Sequence, residues 1–587
     1  MKLLFVDEDR MVLMTRPSPK TVNLGVQLEG RRRWLKKGGW QLEPTTHNLE
    51  LVRGAYPDLI EEGKSPPDRF AEDFHNFPAA RYVSRTEPWP HQEDCLRKMR
   101  DKNEFAVFAE QGTGKTKIGC DWAGYLFASG RITALLVIAP AGVHRQWVEP
   151  DKPQGELLGE VQRHCGVPTV THAWRKRARA DLDIPDKLMP GEELRVFSIN
   201  IDALRTVRGQ AAAMRYVKWH AGRVLMIVDE SHRIKNKSSN SWRSADAVGG
   251  RCSHRLIMTG TPIAKDPTDE WSQYYFLNPR IIGMKYKTAF RNEYCLLGGH
   301  TGFDVVGARN VERLQKRVEP YTYRVTKSEI GIAAKVQAPP VRFSLTRDQR
   351  GMIKTMKQQL IAQIGSGEIS TAANAAVGLV RIQQIASGFF VDDDETVHWV
   401  VPPEKNPRLQ ALAELLESKR GDVCIWARFI QDILLVAELL GDECVTYYGE
   451  TSTDDRERNK TRFLTDSRCR YFVSNPAAGG TGLNLQLGGC TEAIYYTNSY
   501  NSIQRWQSED RIHRIGTAGI CVYTDLQAIG STDAAMRTNI SRKRAMAARL
   551  LGDESHQKDD EQYEVQFDAS EDSMSMQAIM EWLKDEL

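Results

Sequence analysis

The stretch Phe105-Ala-Val-Phe-Ala-Glu-Gln-Gly-Thr-Gly-Lys-Thr116 limits the possible folds more than any other part of the chain. An apolar run that breaks at Gly112 and Gly114 and resumes with helical character predicts a strand, a tight turn and a helix start. That order is the layout of a nucleotide phosphate cradle, because free backbone N–H groups and the positive helix end face one point. Gly112, Thr113 and Gly114 would line the cradle, Lys115 would reach the β/γ-phosphates, and Thr116 would hold Mg²⁺. Ala109 stands where the usual pattern has its first glycine, and a plain strand-to-helix turn is the competing reading.

At 587 residues the chain is too long for one core and points to about three or four domains. The net charge is only +4, so a nucleic-acid surface must come from local segregation of charge. Ten cysteines lie scattered, with no C-x-x-C pair and no Cys/His spacing that cages zinc, and they read as buried thiols of a reducing compartment. No apolar run approaches the roughly 18 residues of a membrane span, and Met1-Lys-Leu-Leu-Phe-Val-Asp-Glu-Asp turns acidic too early for a signal peptide. A soluble intracellular protein is expected, with no membrane partner: cytoplasmic in a bacterial or phage-infected cell, nuclear in a eukaryote.

Residues 1–84 read as a small α+β accessory module. It has a short strand pair, the basic run Arg31-Arg-Arg-Trp-Leu-Lys-Lys37, Trp40, and a helix after Pro44-Thr-Thr-His-Asn48. The basic residues beside Trp34 and Trp40 suit phosphate contact and base stacking, or equally a solvated face over two core tryptophans. Across 85–280 short apolar strands alternate with helical stretches, at 105–109, 134–139, 195–199, 224–228 and 255–258, which predicts an α/β lobe with a parallel sheet. Ligands of such sheets bind beyond the carboxyl ends of the strands. Residues 281–420 read as a helical insertion, clearest at Arg347-Asp-Gln-Arg-Gly-Met-Ile-Lys and Ala372–Ile385. Alternation returns over 421–551 as a second α/β lobe, and 552–587 form an acidic tail whose partner the sequence does not name.

In Val224-Leu-Met-Ile-Val-Asp-Glu-Ser-His232 two acids end a buried strand. Asp229 is assigned to the metal and Glu230 to the attacking water. Thr259-Gly-Thr-Pro262 offers two hydroxyls that could pass on a change at the γ-phosphate, or is ordinary turn chemistry. In the second lobe, Asn475-Pro-Ala-Ala-Gly-Gly-Thr-Gly-Leu-Asn484 is glycine-rich but lacks the Lys-Thr ending of a second cradle. Beyond it, Arg511 and Arg514 stand three apart on an expected helical face. Guanidinium groups brought to a γ-phosphate speed phosphoryl transfer by about 10³–10⁵-fold, although such pairs more often sit on a solvated face.

The ordered set Trp89-Pro-His-Gln92, Ala109 to Thr116, Pro140 to Trp147, Asp229-Glu-Ser-His232 with Arg233-Ile-Lys-Asn236, Thr259-Gly-Thr-Pro262, Gly479 to Asn484 and Asp510-Arg-Ile-His-Arg-Ile-Gly516 resembles the Swi/Snf family of superfamily 2 helicase-like ATPases, over about residues 85–545. The resemblance implies two tandem RecA-like lobes that use ATP and Mg²⁺ and act on double-stranded or branched DNA. It assigns Gln92 to the adenine, and His232, Thr259, Thr261, Gly480, Gly482 and Asn484 to coupling. Gln507, Arg511 and Arg514 would complete the catalytic site from the second lobe. Ser231 replaces a frequent alanine of the family, and Thr517 a frequent glutamine. The first 84 residues bear a fainter likeness to the HARP-type module of annealing helicases.

The activity this resemblance implies is a duplex-stimulated ATPase that translocates and remodels DNA or protein–DNA complexes. The alternatives are a strand-separating or branch-migrating helicase, a restriction-type motor subunit with a separate nuclease, and an ATP-regulated DNA-binding scaffold without productive turnover.

Overall fold

Strands that are apolar along their whole length need cover on both faces, and the sheet carrying the cradle is made of them. The computed structural model describes residues 82–551, apart from short interruptions at 142, 151–157, 176–183, 264–265, 299–303, 367–371, 393, 480–482 and 518, together with five strands between residues 3 and 62. The chain divides into two compact units, Met1–Val83 and Ser84–Leu587.

In the larger unit, the first sheet has seven strands in the order Thr322–Val325, Glu104–Ala109, His254–Thr259, Val224–Asp229, Ala134–Ala139, Leu194–Asn200 and Thr169–Ala173. Every neighbouring pair is parallel. Ala106, Ile138, Phe197 and Met226 pack into the core on one face, and Phe105, Val107, Leu135 and Ile227 into the core on the other. The five expected strands are all here. The two edge strands were not expected, because their residues are largely half-buried and carry no apolar run.

The second sheet also pairs in parallel throughout. Its order is Val336–Gln337, Val522–Ala528, Glu492–Tyr495, Val423–Trp426, Tyr471–Ser474, Cys444–Tyr447, with Val341–Phe343 also on the Val522–Ala528 strand. Two parallel α/β lobes therefore stand in tandem, as the alternation in the sequence implies. No helix among the described residues is long and apolar enough to cross a membrane.

Residues 281–420 differ from the expected helical insertion. The helices Arg347–Gly365 and Ala372–Ser387 form, and Leu360, Leu379 and Ile382 share a core with Met536 of the second lobe. Yet the same segment gives Thr322–Val325 to the first sheet and Val336–Gln337 and Val341–Phe343 to the second. Strands of two to four residues are too short to show a period, so they pass unseen in a sequence. Residues 326–335 are thus the linker from one sheet to the other.

In the smaller unit the five described strands form one sheet, in the order Arg33–Trp34, Trp40–Leu42, Met11–Met14, Leu3–Val6 and Ile60–Glu62. Trp34 is in register with Trp40 across an antiparallel pair. The helix expected after Pro44 and the acidic tail lie outside the described residues.

Candidate functional site

A cavity of about 600 Å³ opens beyond the carboxyl ends of the first-sheet strands, walled on its far side by residues of the second lobe. Gln92, Gly112, Gly114, Lys115, Thr116, Asp229 and Glu230 line it from one lobe, and Asn484, Arg511 and Arg514 from the other.

The cradle follows from strand Glu104–Ala109 and helix Lys115–Ala128. Gly112 and Gly114 both have φ of +83°, a conformation strained for any residue with a Cβ. Space is tight as well: a Cβ on Gly112 would lie 3.0 Å from Arg514 Cβ, and one on Gly114 would require the Gln92 amide to move. Lys115 is buried, and its ammonium donates to the carbonyls of Ala109 at 2.8 Å and Glu110 at 3.2 Å. Burial lowers its pKa against the pull of Glu230 and Asp229. Thr113 does not line the cavity; its hydroxyl donates to Glu110 O at 2.7 Å and its carbonyl accepts from His91 Nε2 at 2.8 Å. Gln92 Nε2 donates to Gly114 O at 3.3 Å, and Gln92 Oε1 accepts from Trp89 N at 2.9 Å, capping its own helix.

The acids sit at the end of strand Val224–Asp229. Trp147 Nε1 donates to Asp229 Oδ2 at 3.1 Å and Glu230 N to Asp229 Oδ1 at 3.0 Å, which fixes the carboxylate plane. Burial and the charge of Glu230 push Asp229 above the usual carboxylate range. Burial acts the same way on Glu230, but the His232 hydrogen bond and the charges of Lys115 and Arg511 outweigh it and hold Glu230 low. Glu230 itself has φ of +54°, so the turn aims its side chain at a conformational cost.

Behind Glu230 the expected coupling residues form a chain. Glu230 Oε2 lies 3.2 Å from His232 Nδ1 and accepts from Thr259 Oγ1 at 3.3 Å, while Thr261 N donates to Thr259 Oγ1 at 3.1 Å. Ser231, one of the two departures from the family pattern, donates its hydroxyl to Gln273 Oε1 at 2.7 Å, and Gln273 Nε2 donates to Pro262 O at 2.7 Å. The substituted serine thus ties the acidic turn to the Thr-Gly-Thr-Pro turn.

From the second lobe, Arg511 Nη2 donates to Gln111 Oε1, and Gln111 Nε2 donates to Glu230 Oε1 at 3.2 Å. Arg514 Nη1 donates to Asn484 Oδ1 and to Leu483 O at 3.3 Å. The two arginines are not on a helix. Helix Ser502–Glu509 ends first, and both lie in the turn that follows. Thr517, the second departure, holds that turn: its Oγ1 accepts from Arg514 N at 2.9 Å and donates to Ile512 O at 2.7 Å. Burial and the neighbouring Arg514 lower the pKa of Arg511, yet a guanidinium stays charged at neutral pH. Two such groups beside Lys115 make a site that favours a polyanion.

Gln507, expected as catalytic, does not line the cavity; its carbonyl accepts from Arg511 Nε at 2.9 Å. Asn484, expected as a coupling residue, orients Arg514. Gly480 and Gly482 lie outside the described residues. Gln111 and Trp147 carry contacts that sequence reasoning did not assign: one occupies a position inside the cradle that the phosphate-loop pattern leaves open, and the other is brought to Asp229 across 82 residues of chain.

Residues 80–386 match the family model described as SNF2-related domain, and residues 407–516 the one described as Helicase conserved C-terminal domain. A probable ATP-dependent DNA helicase of Arabidopsis thaliana is 24% identical over 461 residues, which are 75% of this chain and 39% of that protein. The Zorya protein ZorD of Escherichia coli is 26% identical over 446 residues, 71% of this chain and 39% of that protein. The SWI2/SNF2 ATPase core of Sulfolobus solfataricus, solved in complex with dsDNA, is similar at 19% identity and a TM-score of 0.35, over 83% of this chain and 98% of that one. The chain spans about two fifths of the length of these two curated relatives. The SNF2-related match alone covers more than half of the chain, which therefore belongs to the SNF2-related family of helicase-like ATPases.

Proposed function

We propose that this protein hydrolyses ATP on double-stranded DNA and uses the cycle to translocate along the duplex, remodelling DNA structures or the proteins bound to them. The observation that carries this reading is the relay Arg511–Gln111–Glu230, which joins a second-lobe cation to the first-lobe acid assigned to water. The Arabidopsis relative is named as a DNA helicase, which supports DNA as the track.

In this reading Lys115 exchanges its two carbonyl partners for phosphate oxygens, and the N–H groups of the Gly112–Lys115 turn cradle the same anion. Thr116 and Asp229 offer the hard oxygen ligands that Mg²⁺ takes, and the ion would neutralise charge on the phosphate oxygens. Glu230, held ionised, accepts a hydrogen bond from the attacking water and orients it. Arg511 and Arg514 stabilise the charge of the transferring phosphoryl group. Because Lys115 and the arginines stand on different lobes, the full set exists only while the lobes are together. The Glu230–His232–Thr259–Thr261 chain passes the loss of the γ-phosphate to the Thr-Gly-Thr-Pro turn. One cycle then advances a lobe by about 3.4 Å, one base pair.

The test compares ATP turnover on duplex, single-stranded, forked and four-way DNA, with triplex displacement and strand release measured on the same samples. Duplex DNA is expected to stimulate turnover and the third strand of a triplex to be displaced, while a tailed duplex keeps its strands. Equal rates of strand release would support a strand-separating helicase, and turnover indifferent to DNA would defeat the proposal.

A further inference from the structure

The linker between the lobes does more than connect them. Lys327, two residues beyond the edge strand Thr322–Val325, is 4% exposed, and its ammonium is ion-paired with Asp510. It also donates to His513 O at 2.5 Å. Asp510 immediately precedes Arg511, and His513 immediately precedes Arg514. One buried lysine therefore grips the arginine-bearing turn at two points, each next to a guanidinium of the cavity.

Two further contacts fasten the same turn to the same linker. His513 Nε2 donates to Ala333 O at 2.7 Å, and Lys335 Nζ pairs with Glu509 Oε2 at 2.6 Å. On the other side, the backbone N–H of Lys327 donates to Glu110 Oε2 at 2.7 Å, and Glu110 N donates to Val325 O at 3.1 Å. Glu110 is the residue before Gln111, and its carbonyl is one of the two on which the Lys115 ammonium rests. The linker start is thus bonded at once to the phosphate cradle and to the turn that faces it. Burial lowers the Lys327 pKa while the Asp510 charge opposes the shift, as expected for a buried ammonium that depends on its ion-pair partner.

Resting on the ATPase reading above, we infer that Lys327 is a positioning residue for hydrolysis: its grip on Asp510 and His513 sets Arg511 and Arg514 at the cradle, without itself touching nucleotide. A misplacement of about 1 Å in such a group costs about 100-fold in rate. Ground-state binding, carried by the cradle of the first lobe, should not change with it.

The experiment uses Lys327→Gln and Asp510→Asn in the full chain, with the double variant. Each single variant is expected to lower duplex-stimulated kcat by about 100-fold while KM and the Kd of a fluorescent ATP analogue stay within about threefold. The double variant should be no slower than the worse single one, since both break one contact. In hydrogen exchange, amides of residues 509–517 should lose protection while those of 115–128 keep theirs. Unchanged kcat, a parallel loss of analogue binding, or losses that multiply in the double variant would overturn the assignment. If the parent protein fails to hydrolyse ATP on duplex DNA, the proposed function falls by itself. The exchange experiment still decides whether Lys327 holds the turn, and unchanged protection at 509–517 would refute it.

Discussion

In each lobe a parallel strand leads through a glycine-rich sequence toward the shared cavity, and the two segments do opposite work. In the first, Gly112 and Gly114 take positive φ and, with Lys115, line the cavity as a site suited to an anion. In the second, Leu483 and Asn484 offer a carbonyl and an amide oxygen, and both are spent on Arg511 and Arg514. One loop receives charge and the other aims it. Similar architecture therefore does not carry similar chemistry, and the Lys-Thr ending decides which role a loop can play.

The most damaging way to break this division is Lys115→Ala, which removes the only lysine donor of the cradle turn. DNA-stimulated hydrolysis should disappear while salt-sensitive DNA binding persists, and normal turnover in a steady-state assay would refute the cradle. Arg514→Ala comes next, with kcat expected to fall by about 10³-fold and nucleotide affinity retained. An unchanged rate there would mean that the second lobe aims nothing. Gln111→Ala sharpens the comparison with a smaller effect. Losing the bridge between Arg511 and Glu230 should cost about tenfold in kcat, because one hydrogen bond to a charged group is lost on each side while both charges remain. If Gln111→Ala proved as severe as Arg514→Ala, the relay itself, and not the aimed guanidinium, would be the active element.

What could be read from the sequence follows physical locality. Val224–Asp229 and Ala134–Ala139 announce themselves as strands because every residue is buried on a two-sided sheet, so no alternation dilutes the apolar run. The Gly-Thr-Gly-Lys-Thr cradle is equally legible, because the turn's needs are met by neighbouring residues. The meeting of Arg511 with the first lobe lies 400 residues from Gln111, and only the family resemblance suggested it. The expected helical face for the two arginines failed because Glu509, Asp510 and His513 are held from outside, by Lys335 and Lys327, and the backbone leaves the helix there. Lys327 itself has no local signature. In Val-Thr-Lys-Ser-Glu it reads as an ordinary surface residue, and only the crossing of the linker behind the cavity buries it.

The brevity of that crossing sets a limit on how far the two lobes can part. With residues 326–335 as the tether, the second lobe can stray no further than about 35 Å even with the segment pulled straight. At such a leash length the local concentration of one lobe about the other is in the millimolar range. If the lobes part, their reassembly is a matter of turning, not of searching, and dilution of the protein should leave it untouched.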